Sequence, residues 1–114
     1  MSDRLGDKVR LQHILEAIQS LLKYTNNVDY QSFMQDEMMT DACIRKFEII
    51  GEASSKISNE VREMNFPIEW KKMIAFRNLL IHEYFVVDKN LIWDIIQRDI
   101  PELETNISEV INQL

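Results

Sequence analysis

The chain has 114 residues, is 46% hydrophobic and 28% charged, and carries a formal net charge of −6. That length suits one domain, residues 1–114, and the composition is that of a globular protein with a single core. The acidity excludes a general nucleic-acid coat, which needs many cationic contacts to phosphate; any RNA contact must be local, and a basic partner protein is accommodated. No run is long enough to span a bilayer, the first residues lack the regions of a secretory signal, and the only cysteine, Cys43, permits no intrachain disulfide. A cytoplasmic protein with no membrane contact is expected.

Two glycines and two prolines are the only strong interruptions, and apolar residues recur at spacings of three and four, which predicts an all-α fold. A first helix is predicted from about Asp3, capped by Ser2, to about Tyr24. Its buried side comprises Val9, Leu11, Ile14, Leu15, Ile18, Leu21 and Leu22, and Thr25-Asn26-Asn27 ends it. A connector from Val28 to Gln35 brings Tyr30 and Phe33 onto the core. Asp36 or Thr40 then caps a second long helix reaching about Met64. Gly51 inside that helix costs stability relative to alanine, so a close backbone approach or a kink is expected there.

Asn65-Phe66-Pro67 is a break, with Pro67 suited to the first turn of a third helix. Phe85-Val86-Val87-Asp88 is too short to be a strand and reads as a loop with two apolar anchors. Asp88 caps a fourth helix through Arg98, and Pro101 separates it from a last helix. Four or five helices with short connections predict an antiparallel bundle. Cys43, in an apolar stripe, is core filler, and Trp70 and Trp93 are anchors. His13 is a surface residue. Met34, Met38 and Met39 are read as helical core, with an adaptable interface as the alternative.

Arg77-Asn78-Leu79-Leu80-Ile81-His82-Glu83-Tyr84 places a fixed cation, an imidazole and a phenol in otherwise apolar sequence. On a wheel turning roughly 100° per residue, Met73, Phe76, Leu80 and Ile81 form an apolar arc that also contains Arg77 and Tyr84. A guanidinium cannot lose its proton, so Arg77 requires an anion or a wet cleft beside it. Arg45, Glu48 and Glu52 share a face of the second helix, and the two carboxylates are candidates for that anion; a solvated charge ladder is the alternative. His82 points roughly 140° from Arg77, so one unbroken helix does not bring them together. Either the helix ends near His82, or two copies face each other and His82 of one chain meets Arg77 of the other; the dimer is the favoured reading.

Metal-independent RNA cleavage needs a proton carrier working near neutrality and a cation for the charge that builds on phosphate, and histidine and arginine supply these. In that reading His82 and Arg77 are catalytic and Asn78 orients the phosphate. The bland reading makes His82 a helix-end surface residue, Arg77 half of an ion pair and Tyr84 packing. No metal site is predicted, because no ligand set completes the paired carboxylates, and no cofactor is expected.

The segment resembles the signature of the HepT-like proteins of the HEPN superfamily, Arg-x4-His-x-Tyr, with Arg77, His82 and Tyr84 at its fixed positions and Asn78 as the polar residue after the arginine. The flanks agree: Arg45 to Ala53 is similar to the family's second-helix motif, Pro67-Ile68-Glu69-Trp70 to the entry of its third helix, and Val87 through Trp93 to its fourth. The resemblance covers nearly the whole chain. It implies a dimerising all-α bundle and the toxin of a toxin–antitoxin pair acting as a metal-independent RNase. It also implies a minimal nucleotidyltransferase antitoxin as partner, able to transfer AMP from ATP to Tyr84, where an anionic adduct beside Arg77 would block substrate. Glu83 and the low net charge leave the RNA-binding surface unexplained. The alternative is a non-catalytic helical module that binds a nucleotide or a partner.

Overall fold

The computed structural model describes the backbone of residues 2–114 and the side chains from residue 5 onward, and it is helical throughout, with no strand among the described residues. Five helices have ten residues or more: α1 (Ser2–Tyr24), α3 (Glu37–Ser55), α5 (Trp70–His82), α6 (Lys89–Arg98) and α7 (Ile100–Gln113). Two are short, α2 (Tyr30–Gln35) and α4 (Asn59–Arg62). The long helices meet the bundle expectation. Among them α5 packs on α3, α3 on α1 and α1 on α7, while α6 bridges α7 and α2.

Spacing explains the core. In α1, Leu11, Ile14, Ile18 and Leu21 recur every three or four residues and are fully buried, with Leu15 and Leu22 packed at the flanks. Val9, expected on this face, is 46% exposed; two residues before Leu11, it falls on the opposite side of the wheel. The side chain of Ser2, the expected cap, lies outside the described side chains. The Thr25 hydroxyl donates to the Leu21 carbonyl at 2.8 Å, and Asn27 turns into the left-handed region at φ 61°, which together end α1. His13 is exposed, as expected.

Local capping sets most other boundaries. Asp36 accepts from the Met39 N–H at 2.9 Å and starts α3, and Asp88 accepts from the Asn90 N–H at 2.9 Å and starts α6. Asp29 does the same through Ser32 at 2.8 Å, so the predicted connector is partly a helix, α2. The Ser32 N–H and hydroxyl beside the Asp29 carboxyl hold its pKa below the ordinary value. Phe33 is buried, but Tyr30 is 45% exposed, its hydroxyl donating to Asn90. Trp93 packs on Phe33 and Tyr30 and Trp70 lies in the core, so both tryptophans act as anchors. Met34 and Met39 pack against the core, whereas Met38 is exposed. Cys43 is buried, and burial pushes its thiol up to about 11, leaving it protonated and inert at neutral pH.

The second long helix does not reach Met64. It ends at Ser55, because the buried Asp7 carboxylate accepts from the Ser58 N–H at 2.9 Å and from the Ser58 hydroxyl at 2.6 Å, drawing the chain out of helical geometry. Arg62 seals the break by donating to the carbonyls of Ile57 and Ser54. Pro67 precedes the third long helix, here α5, rather than opening it; α5 starts at Trp70. Pro101 lies in the first turn of α7, where its missing N–H is not needed. Among the described residues, no helix is long and apolar enough to cross a membrane.

Candidate functional site

The signature segment occupies the end of α5 and the turn that follows. Leu80 is 2% exposed and ties the helix to the core, with Met73 and Phe76 packed beside it. The edge of Phe76 meets the ring of Phe47 on α3, with centroids 5.2 Å apart. At Gly51 the backbone of α3 lies against α5, which is the close approach expected there.

Arg77 stands at this contact. Its Nη2 lies 2.9 Å from Glu52 Oε1, and its Nη1 donates to Asn78 Oδ1 at 2.8 Å. Glu52 is therefore the anion that the arginine requires. Glu48 turns instead to Arg45 at 3.4 Å, so Arg45 and Glu48 form a separate pair outside the Arg77 contact, and Lys56 Nζ lies 4.0 Å from Glu52 Oε2. The Arg77 and Glu52 side chains are 30% and 50% exposed, so their bridge is worth at most about 1 kcal/mol. Arg77 Nε is buried and has no hydrogen-bond partner among the described residues.

His82 lies in the same continuous helix as Arg77, so the end of α5 does not by itself bring the two side chains together within one chain. His82 is the last residue of that helix, Glu83 its C-cap, and Tyr84–Val86 form a 3-10 turn. Tyr84 thus leaves the apolar arc that a continued helix would give it; it is 75% exposed, with Phe85 against it edge to face at 5.9 Å. His82 is exposed, and among the described residues neither its imidazole nor the Tyr84 hydroxyl makes a hydrogen bond. Of the apolar residues in the expected loop, Val87 packs against the core, whereas Phe85 and Val86 are 74% and 54% exposed on the turn. Ile81 is 39% exposed, so exposed apolar residues flank His82 and Tyr84 along the chain.

A groove of about 490 Å³ opens on another side of α5, against α3 and α7. Phe47, Met73, Phe76 and Leu103 line it, and Arg77, His82 and Tyr84 do not. Among the described residues, no group of three or more His, Cys, Asp or Glu is placed to hold a metal ion.

Similarity to known proteins gives the class of this bundle, the HEPN superfamily. The family described as "Ribonuclease HepT-like" matches residues 14–110. "Putative RNase MJ1380" of Methanocaldococcus jannaschii is 40% identical over 103 residues, 90% of this chain and 94% of that one. "Putative RNase TTE0752" of Caldanaerobacter subterraneus is 37% identical over 103 residues, 90% of this chain and 92% of that one. "Probable ribonuclease HepT" of Thermococcus cleftensis is 38% identical over 94 residues, 82% of this chain and 86% of that one. No solved structure matches. The chain belongs to the HepT-like ribonuclease family.

Proposed function

We propose that this chain is the toxin of a toxin–antitoxin pair, a metal-independent endoribonuclease that works as a homodimer. The observation that carries the reading is the end of α5, where a guanidinium held by Glu52 and Asn78 is followed by an imidazole left free at the helix terminus. In this reading Arg77 binds the scissile phosphate through N–H groups its partners leave open, and Asn78 helps to orient it. The ribose 2′-oxygen attacks phosphorus, the bond from phosphorus to the 5′-oxygen breaks, and a 2′,3′-cyclic phosphate forms. His82 takes the 2′-hydroxyl proton or supplies one to the departing 5′-oxygen. DNA lacks that hydroxyl and is not cut.

Two copies of the segment lining one cleft would bring His82 of one subunit toward Arg77 of the other. The exposure of Ile81, Phe85 and Val86 supports an association at this end of α5, since apolar side chains gain by leaving water.

Control falls to Tyr84. A minimal nucleotidyltransferase antitoxin would join the Tyr84 hydroxyl oxygen to the α-phosphorus of ATP, releasing pyrophosphate, and the exposure of the phenol gives it the access that this step needs. The resulting phosphodiester places a negative charge and a nucleoside in the substrate's path. Expression of the chain alone is expected to arrest growth, and co-expression of the nucleotidyltransferase to relieve the arrest. With purified proteins and ATP, intact mass should show AMP on wild type and none on Tyr84→Phe, and the modified protein should lose cleavage. Modified protein that cleaves RNA as fast as before contradicts this control.

A further inference from the structure

A close contact between α3 and α5 falls at a residue with no side chain. A Cβ on Gly51 would stand 2.1 Å from Cβ and 2.8 Å from Cγ of Arg77, and 2.8 Å from the Met73 carbonyl oxygen. The first and last of these atoms are fixed by the backbone of α5, so no change of rotamer relieves the overlap. Any other residue at 51 would push the two helices apart at the arginine.

The next residue completes the arrangement. Glu52 holds Nη2 from α3 while Asn78 holds Nη1 from α5, so the planar guanidinium is gripped from both helices. That grip is poor value as a stabilising device. A bridge this exposed is weak, and it comes with a buried Nε that has no acceptor among the described residues, a loss comparable to what the bridge returns. An arrangement that sacrifices Nε while fixing both Nη groups is better suited to aiming the cation than to holding the bundle together.

We propose that Gly51 and Glu52 are positioning residues for Arg77: the missing side chain at 51 seats the arginine stem against α3, and the carboxylate at 52 fixes the plane of the guanidinium. The seating is a property of the protein itself; its consequence for turnover rests on the ribonuclease reading above.

The test combines proton–nitrogen NMR of the arginine Nε–H groups with RNA cleavage kinetics. In wild type, Arg77, assigned by the loss of its signal in Arg77→Lys, should give a resonance shifted from those of solvent-exposed arginines and slow to exchange with water. In Glu52→Ala that resonance should merge with the exposed set, and kcat should fall about tenfold to a hundredfold at nearly unchanged KM, the effect of misplacing a group by about an ångström. Glu52→Gln, whose amide oxygen still accepts from Nη2, should keep the resonance and most of the turnover. Gly51→Ala should behave as Glu52→Ala does, with a lowered melting temperature. If it does not fold, the two variants at the exposed position 52 still decide the matter. An Arg77 resonance unmoved in Glu52→Ala, or unchanged turnover despite a moved resonance, overturns the proposal. Absence of cleavage by wild type, with the resonances behaving as described, removes the ribonuclease reading and leaves the seating of Arg77 supported.

Discussion

Replacing His82 with alanine should lower RNA cleavage by about a hundredfold or more, the usual contribution of a positioned proton carrier, and leave the bundle folded. The two halves of this expectation have separate grounds. The loss of rate follows from an imidazole being the side chain whose proton is most easily exchanged near neutrality. The intact fold follows from position: His82 is the exposed last residue of α5 and makes no side-chain hydrogen bond among the described residues. Surface changes of this kind usually stay within about 0.5 kcal/mol. Single-turnover cleavage and thermal denaturation on the same preparation separate the two effects. Equal rates for variant and wild type would make His82 a surface residue and shift the reading to a binding module.

Arg77→Lys should be nearly as inactive as Arg77→Ala, with losses of about a hundredfold to a thousandfold, the range for removing a preorganised group from developing charge. A conservative change fails here for a geometric reason. The guanidinium meets Glu52 through one terminal nitrogen and Asn78 through the other. A lysine ammonium is a single point on a flexible stem and cannot keep both contacts while facing a phosphate. Neither change should cost much stability, because the bridge is weak and the orphaned Nε disappears with the guanidinium. Initial rates as a function of RNA concentration check the first statement and melting curves the second. A Lys variant that retains wild-type turnover would show that charge alone is required and that the seating of the guanidinium is irrelevant.

The parts of this molecule that depend on nearby residues were legible in the sequence. Asp36 and Asp88 cap helices through N–H groups two or three residues away, and α1 buries residues spaced by three and four, so caps and faces could be read along the chain. The demand of Arg77 for an anion was legible for the same kind of reason, since a guanidinium on an apolar arc constrains its surroundings whatever they are. Which carboxylate would answer was not: Glu48 and Glu52 lie on the same face, and only the packing of α5 at Gly51 selects the second.

One failure came from a contact made across a long stretch of chain, and two were local. The break after Ser55 depends on Asp7, 51 residues from Ser58, and nothing near Ser58 announces that a buried carboxylate will take its N–H and hydroxyl. Val9 was misplaced because it was grouped by apolar character, although its spacing of two from Leu11 puts it on the opposite side of the wheel. Tyr84 was assigned to the arc of Arg77 by continuing the helix past His82, where the backbone turns into a 3-10 element instead. That turn changes the functional picture, for it makes the phenol an exposed group reachable by another enzyme rather than a packed one.

The most direct test is cleavage of a mixed RNA by unmodified dimeric protein in EDTA, with the new ends examined. The account predicts cleavage that persists without divalent metal and leaves 2′,3′-cyclic phosphate ends. No cleavage by verified unmodified dimer, or cleavage that stops when metal is chelated, would contradict it.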